Sequence, residues 1–102
     1  MGAHDFYQVM SGATLHEAFR DAVEQAQHEY GHDPYSGTVA TKDEVVLIEE
    51  EARTEDDAQA RAHELIEADD DRIRDKWGPA GALPLHPVDG QPAWLLFGWV
   101  AS

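Results

Sequence analysis

Cysteine is absent from the 102 residues, and lysine occurs only at Lys42 and Lys76. Without cysteine there is no disulfide framework, no thiolate zinc site and no cysteine nucleophile. The longest apolar run, the nine residues from Ala93 to Ala101, is too short to cross a bilayer as a helix. Positive charge is scarce as well: seven Lys and Arg stand against 21 Asp and Glu, a formal charge of -14. That balance excludes direct binding to nucleic acid phosphates or to an anionic membrane, both of which need the opposite sign. A compact domain carrying this charge repels itself in dilute salt, so either the surroundings screen it or a partner uses it. Met1 to Met10 has no basic region followed by an apolar stretch, so no signal peptide is expected and a soluble cytoplasmic protein is the default.

What is present argues for one folded domain. Hydrophobic residues make up 42% of the chain, more than an acidic disordered tail carries, and they are patterned. Asp5 to Met10 reads as an opening strand. Thr14, with Glu17 three residues on, forms a capping box for a helix. Apolar residues then fall at 15, 18, 19, 22, 23, 26 and 30, the rhythm of one buried helical face that includes Tyr30. This helix should end near Gly31. Ser36 to Thr41 is β-prone, Lys42-Asp43 is a candidate hairpin turn, and Glu44 to Glu50 is a second such run. Thr54 caps another helix whose buried stripe is Ala58, Ala62, Leu65 and Ile66, with Glu55, Asp56 and Asp57 in its first turn. Asp69-Asp70-Asp71 should interrupt it before a short continuation from Ile73 to Trp77. Leu83 to His86 and Ala93 to Val100 read as strands about the turn signal Asp89-Gly90.

The order β-α-β-β-α-β-β implies an α+β fold, a two-layer sandwich of ferredoxin-like (split βαβ) type with both helices on one sheet face. Helical phase then sets Glu17, Asp21 and Glu24 opposite the apolar face of the first helix, and Asp56, Glu64 and Glu67 opposite that of the second. On one sheet face these outer sides would join into a single acidic surface; the plainer alternative is a solvated pair of helix faces. The last strand is apolar on both sides, with Trp94, Leu96 and Val100 one way and Leu95, Phe97 and Trp99 the other. A strand with one wet face should alternate, so the second face needs a cover, either the loop from Trp77 to Pro92 or a second copy of the chain. Trp77 itself either anchors a partner at a rigid corner or closes the helix as a core residue.

His28-Glu29-Tyr30-Gly31-His32 matches H-E-x-x-H. In zinc proteases two histidines one helical turn apart hold the metal, and the glutamate activates its water. Here the phase turns His28 to solvent, and Gly31 sits between Glu29 and His32 at a helix end. A third ligand would have to come from His63, Glu64 or Glu67. Exposed histidines at a frayed helix end are the simpler reading of His28, Glu29 and His32. The glycines form no phosphate-binding pattern, and the Asp69-Asp71 run lacks the spacing of a calcium loop.

Three segments, Tyr35–Asp43 (YSGTVATKD), Asp75–Gly81 (DKWGPAG) and Phe97–Trp99 (FGW), resemble those of a family of small uncharacterised acidic proteins from halophilic archaea, actinobacteria and their viruses or plasmids. The resemblance covers 19 of the 102 residues by these segments and implies origin rather than activity. Such a habitat suits the composition, since in molar salt the Debye length falls to ~3 Å. The expectation is a small acidic, non-enzymatic protein-interaction module without a cofactor. Its partner would be a protein, in one version a basic nucleic-acid-binding protein occupied by a viral or mobile-element DNA mimic. A homodimer is a further expectation. The alternatives are a halophilic cellular protein whose charge is salt adaptation, and a zinc-dependent hydrolase built on the histidine motif.

Overall fold

The computed structural model describes residues 2–31, 33 and 36–101. They form a small α+β sandwich: a four-stranded mixed sheet and two helices, in the order β1 (Ala3–Ser11), α1 (Leu15–Tyr30), β2 (Val45–Leu47), α2 (Glu55–Glu67), β3 (Ala80–Val88) and β4 (Gln91–Ala101). The sheet order is β1-β4-β3-β2, with β4 antiparallel to both neighbours and β2 parallel to β3. β3 and β4 are joined at Asp89-Gly90, where φ of 51° and 80° are the paired positive values of a type I′ turn.

Both helices begin where side chains satisfy their first amides. Thr14 Oγ1 accepts from the Glu17 N–H at 3.1 Å, and Thr54 Oγ1 from the Asp57 N–H at 3.2 Å. α1 stops at Tyr30 because Gly31 turns to φ 77° and returns its N–H to Gln27 O. α2 stops at the start of the acidic run. Asp69 adopts φ 55° and donates to Ile66 O, and Asp70 donates to Leu65 O, the bond pair of a Schellman motif. The chain beyond is a series of turns, so the expected helical continuation to Trp77 does not form.

Three other expectations are corrected. Ser36 to Thr41 is not a strand; Val39–Thr41 is a single 3₁₀ turn, because Thr38 Oγ1 accepts from Ala40 N–H and Thr38 O accepts from the Thr41 hydroxyl. Lys42-Asp43 is not a hairpin turn, since no strand directly precedes it and β2 pairs with β3 instead. The helices do not share a sheet face. Ala58, Ala62, Leu65 and Ile66 of α2 pack with Leu83, Leu85, Ala93, Leu95 and Phe97, whereas Phe19, Ala22 and Ala26 of α1 pack with Ala80, Ala82 and Leu96. Successive β4 residues therefore meet opposite helices, and this accounts for a strand that is apolar on both sides. The cover over the second face is a helix of the same chain. Among the described residues no helix is long and apolar enough to cross a membrane.

A band of arginine pairs closes the α2 side. Glu49 accepts from Arg53 at 2.8 Å and from Arg61 at 2.9 Å, and Arg61 also reaches Glu64 at 3.2 Å. Arg72 grips Asp70 with two parallel bonds, Nε to Oδ1 at 3.0 Å and Nη2 to Oδ2 at 2.8 Å, while its Nη1 reaches Ile48 O at 3.3 Å. That clamp holds the Asp70 carboxyl at about 2, below its usual 3.8. A carboxyl lowered by folding stabilises the fold above its ordinary range and loses that contribution as pH falls through the folded value. Wild type should therefore exceed Asp70→Asn in stability at neutral pH, and the gap should close between pH 3.8 and about 2. Paired urea titrations across that range check this; a gap independent of pH would mean the clamp is not the source.

Candidate interaction surface

Ion pairs, rather than formal charge, are distributed unequally over the two outer layers. Among the described residues every Asp/Glu pair with Arg lies between Glu49 and Arg74, around α2 and the turns after it. α1 carries Glu17, Asp21, Glu24 and Glu29, all exposed, against Arg20 as its one Lys or Arg. None of these four carboxylates makes an ion pair with a described residue. The expected single acidic surface is thus two surfaces on opposite sides of the sheet. Glu17, Asp21 and Glu24 stand on the bare side, whereas Asp56, Glu64 and Glu67, also exposed, stand on the side where arginines are concentrated.

Beside α1 runs a groove of about 440 Å³, walled by His16, Phe19, Arg20, Val23, Glu24 and Gln27 and reaching Lys42 and Asp43. Asp43 also lines the next hollow, about 250 Å³, together with Glu44, Trp77, Gly78 and Pro79. The acidic helix face, the groove and the tryptophan corner are therefore continuous through Asp43.

The corner is held firmly. Lys42 is 3% exposed, and its Nζ donates to the carbonyls of Gly78 at 2.9 Å, Lys76 at 3.2 Å and, more weakly, Asp75 at 3.5 Å. An ammonium has three N–H groups, so its donors are matched by these acceptors. Burial pushes the Lys42 ammonium down to about 8, partly opposed by the Asp75 charge. Asp75 fixes the same turn from within: its Oδ1 accepts the Trp77 N–H at 2.9 Å and its carbonyl accepts the Gly78 N–H at 2.9 Å. Trp77 remains 53% exposed at the tip, with Lys76 Nζ 5.9 Å from its ring centroid. Lys42→Met removes the donor and strands these carbonyls, so it should destabilise the protein by about 2 kcal/mol. Urea denaturation measures this, and an unchanged midpoint would show that the ammonium does not hold the turn.

The other sequence candidates are placed apart. Trp94 is half-buried against the α1 cluster and Trp99 half-buried against the α2 cluster, so the three tryptophans form no common patch. His28 and Glu29 are exposed in the last turn of α1, and His32 lies outside the described residues. Tyr30 is 58% exposed rather than in the core, since it is the last residue of α1 and the buried face of the helix ends at Ala26. Among the described residues no group of three or more His, Asp or Glu side chains is placed to hold a metal ion.

Sequence reasoning missed Lys42, Asp43 and Glu44 as site residues; one of only two lysines flanked by an apolar VAT segment was the available signal. It also missed a polar chain on the α2 side. The Tyr7 hydroxyl donates to Asp5 Oδ2 at 2.6 Å and lies 3.1 Å from His63 Nδ1, with the two rings 4.5 Å apart. Its one proton is committed to Asp5, so His63 Nδ1 is the donor to the phenol oxygen. Burial, with Asp5 second, pushes the Tyr7 phenol above its usual range. Such a phenol stays protonated at neutral pH and supplies neither nucleophile nor general base. Compared with family models, curated proteins and solved structures, the chain matches none.

Proposed function

We propose that the protein is an acidic, non-enzymatic interaction module that presents α1 to a basic protein partner. The observation that carries this reading is the asymmetry of ion pairing. Arg53, Arg61, Arg72 and Arg74 are all engaged on the α2 side, chiefly by carboxylates of the flanking segments and by Glu64, while no α1 carboxylate has an ion pair among the described residues. Adaptation to salt acts on the whole surface and gives no reason for such a division. A face of fixed negative charge beside an apolar groove suits a Lys/Arg-rich surface: charge steers the encounter and apolar contact slows release. The same features would let the protein occupy the basic groove of a nucleic-acid-binding protein in place of DNA, with carboxylates standing where phosphates would.

If the charge serves a partner, the domain must fold without heavy screening. Thermal unfolding followed by circular dichroism at about 0.1 M and about 2 M KCl tests this across weak and strong screening. A cooperative transition at the lower salt is expected. A chain that folds only at the higher salt would overturn the reading and assign the acidity to habitat.

A further inference from the structure

We infer that the hollow lined by Asp43, Glu44, Trp77, Gly78 and Pro79 is a receptor for one cationic side chain of the partner, an arginine guanidinium. The inference rests on the reading of a basic partner and names the contact that would give it specificity.

Three observations lead here. First, a tryptophan that is 53% exposed sits at the edge of a defined hollow of about 250 Å³ rather than on a flat surface. Second, its turn is rigid: the buried Lys42 ammonium binds carbonyls on either side of Trp77, and Asp75 holds the Trp77 amide. A large aromatic held in place before binding loses little entropy on contact, the property of an interface anchor. Third, the chemistry of the hollow selects a cation. Asp43 and Glu44 line it, and the ring already attracts one cation in cis, the Lys76 ammonium at 5.9 Å.

Arginine fits better than lysine in an open hollow. Its guanidinium is planar, stacks on an indole, is weakly hydrated and pairs with carboxylates through parallel N–H donors. Lysine keeps its water and binds as a point charge. Lys76 on the ring is then an internal competitor.

The test is a ¹H–¹⁵N correlation titration of the full chain with N-acetyl-arginine amide at about 0.1 M KCl, a salt that leaves local charge only partly screened. The three indole N–H signals report each tryptophan separately, and Trp77→Phe assigns its own. The Trp77 indole should move saturably while those of Trp94 and Trp99 stay. Asp43→Asn with Glu44→Gln should weaken binding at least about fivefold, the loss of roughly 1 kcal/mol expected for exposed charge contacts. Lys76→Gln should strengthen it, and N-acetyl-citrulline amide, the uncharged analogue, should give no response. A silent Trp77 indole, an equal response to citrulline, or unchanged affinity in the carboxamide variant would each overturn the inference. Neutralising Glu17, Asp21 and Glu24 should leave the arginine response intact. Capture of a basic peptide through those residues with a silent Trp77 would therefore sink this inference alone. An arginine response in a protein whose α1 charges do not matter for peptide capture would sink the function proposed above.

Discussion

Truncating Phe97 to alanine should cost about 3–5 kcal/mol, the range for a fully buried aromatic in a packed core. Phe97 has no exposed surface and lies in the α2-side cluster on the central strand β4. A domain of this size has only about 5–15 kcal/mol in total, so the variant should sit close to its unfolding midpoint. The reason the loss cannot be absorbed is the residue opposite. Gly81 pairs with Phe97 across the β3–β4 ladder, and a Cβ built there would come within 2.9 Å of the Phe97 ring and of Ile73 Cγ2. The glycine exists to leave room for the ring. Gly81→Ala should thus destabilise by about 1–3 kcal/mol through overpacking, and by less once Phe97 is truncated. A double-mutant cycle in urea measures the coupling; strict additivity would contradict the packing described.

Much of this architecture was legible in the sequence, and the parts that were not share a cause. α1 and both N-caps follow from Thr14, Thr54 and an apolar spacing that a helix imposes within a few residues. The 3₁₀ turn was hidden because VAT favours a strand by propensity, whereas Thr38 and Thr41 satisfy the backbone locally. Periodicity shows which side of a helix is buried, but not which sheet face receives it. The doubly apolar β4 held that information: a strand between two helical layers has no wet side. Reading the missing cover as a loop or a second molecule overlooked the simplest source, the other helix. For the candidate surface, the excess of acid was plain, but its division was not. Pairs such as Glu49 with Arg61, 12 residues apart, form only once α2 has folded back onto the sheet. By sequence Lys42 reads as a turn residue, because charged side chains seldom sit in cores; only the carbonyls of a turn 33 to 36 residues away explain its burial.

The largest functional effect should come from α1. Exposed charge contacts are worth about 0.2–1 kcal/mol each, so converting Glu17, Asp21 and Glu24 to their amides should weaken capture of a basic ligand by roughly 3- to 150-fold. The loss should appear mainly in the association rate and should shrink as salt rises. The same change in net charge made at Asp56, Glu64 and Glu67 controls for bulk electrostatics, since those carboxylates lie on the opposite layer, where Glu64 pairs with Arg61. The decisive measurement is stopped-flow binding of one labelled Lys/Arg-rich peptide to wild type and to both triple variants at about 0.1 M KCl, where the Debye length of ~10 Å still resolves the two sides. The α1 variant should lose binding and the α2 variant should retain it. Equal loss in both, or loss in neither, would contradict an interaction surface on α1.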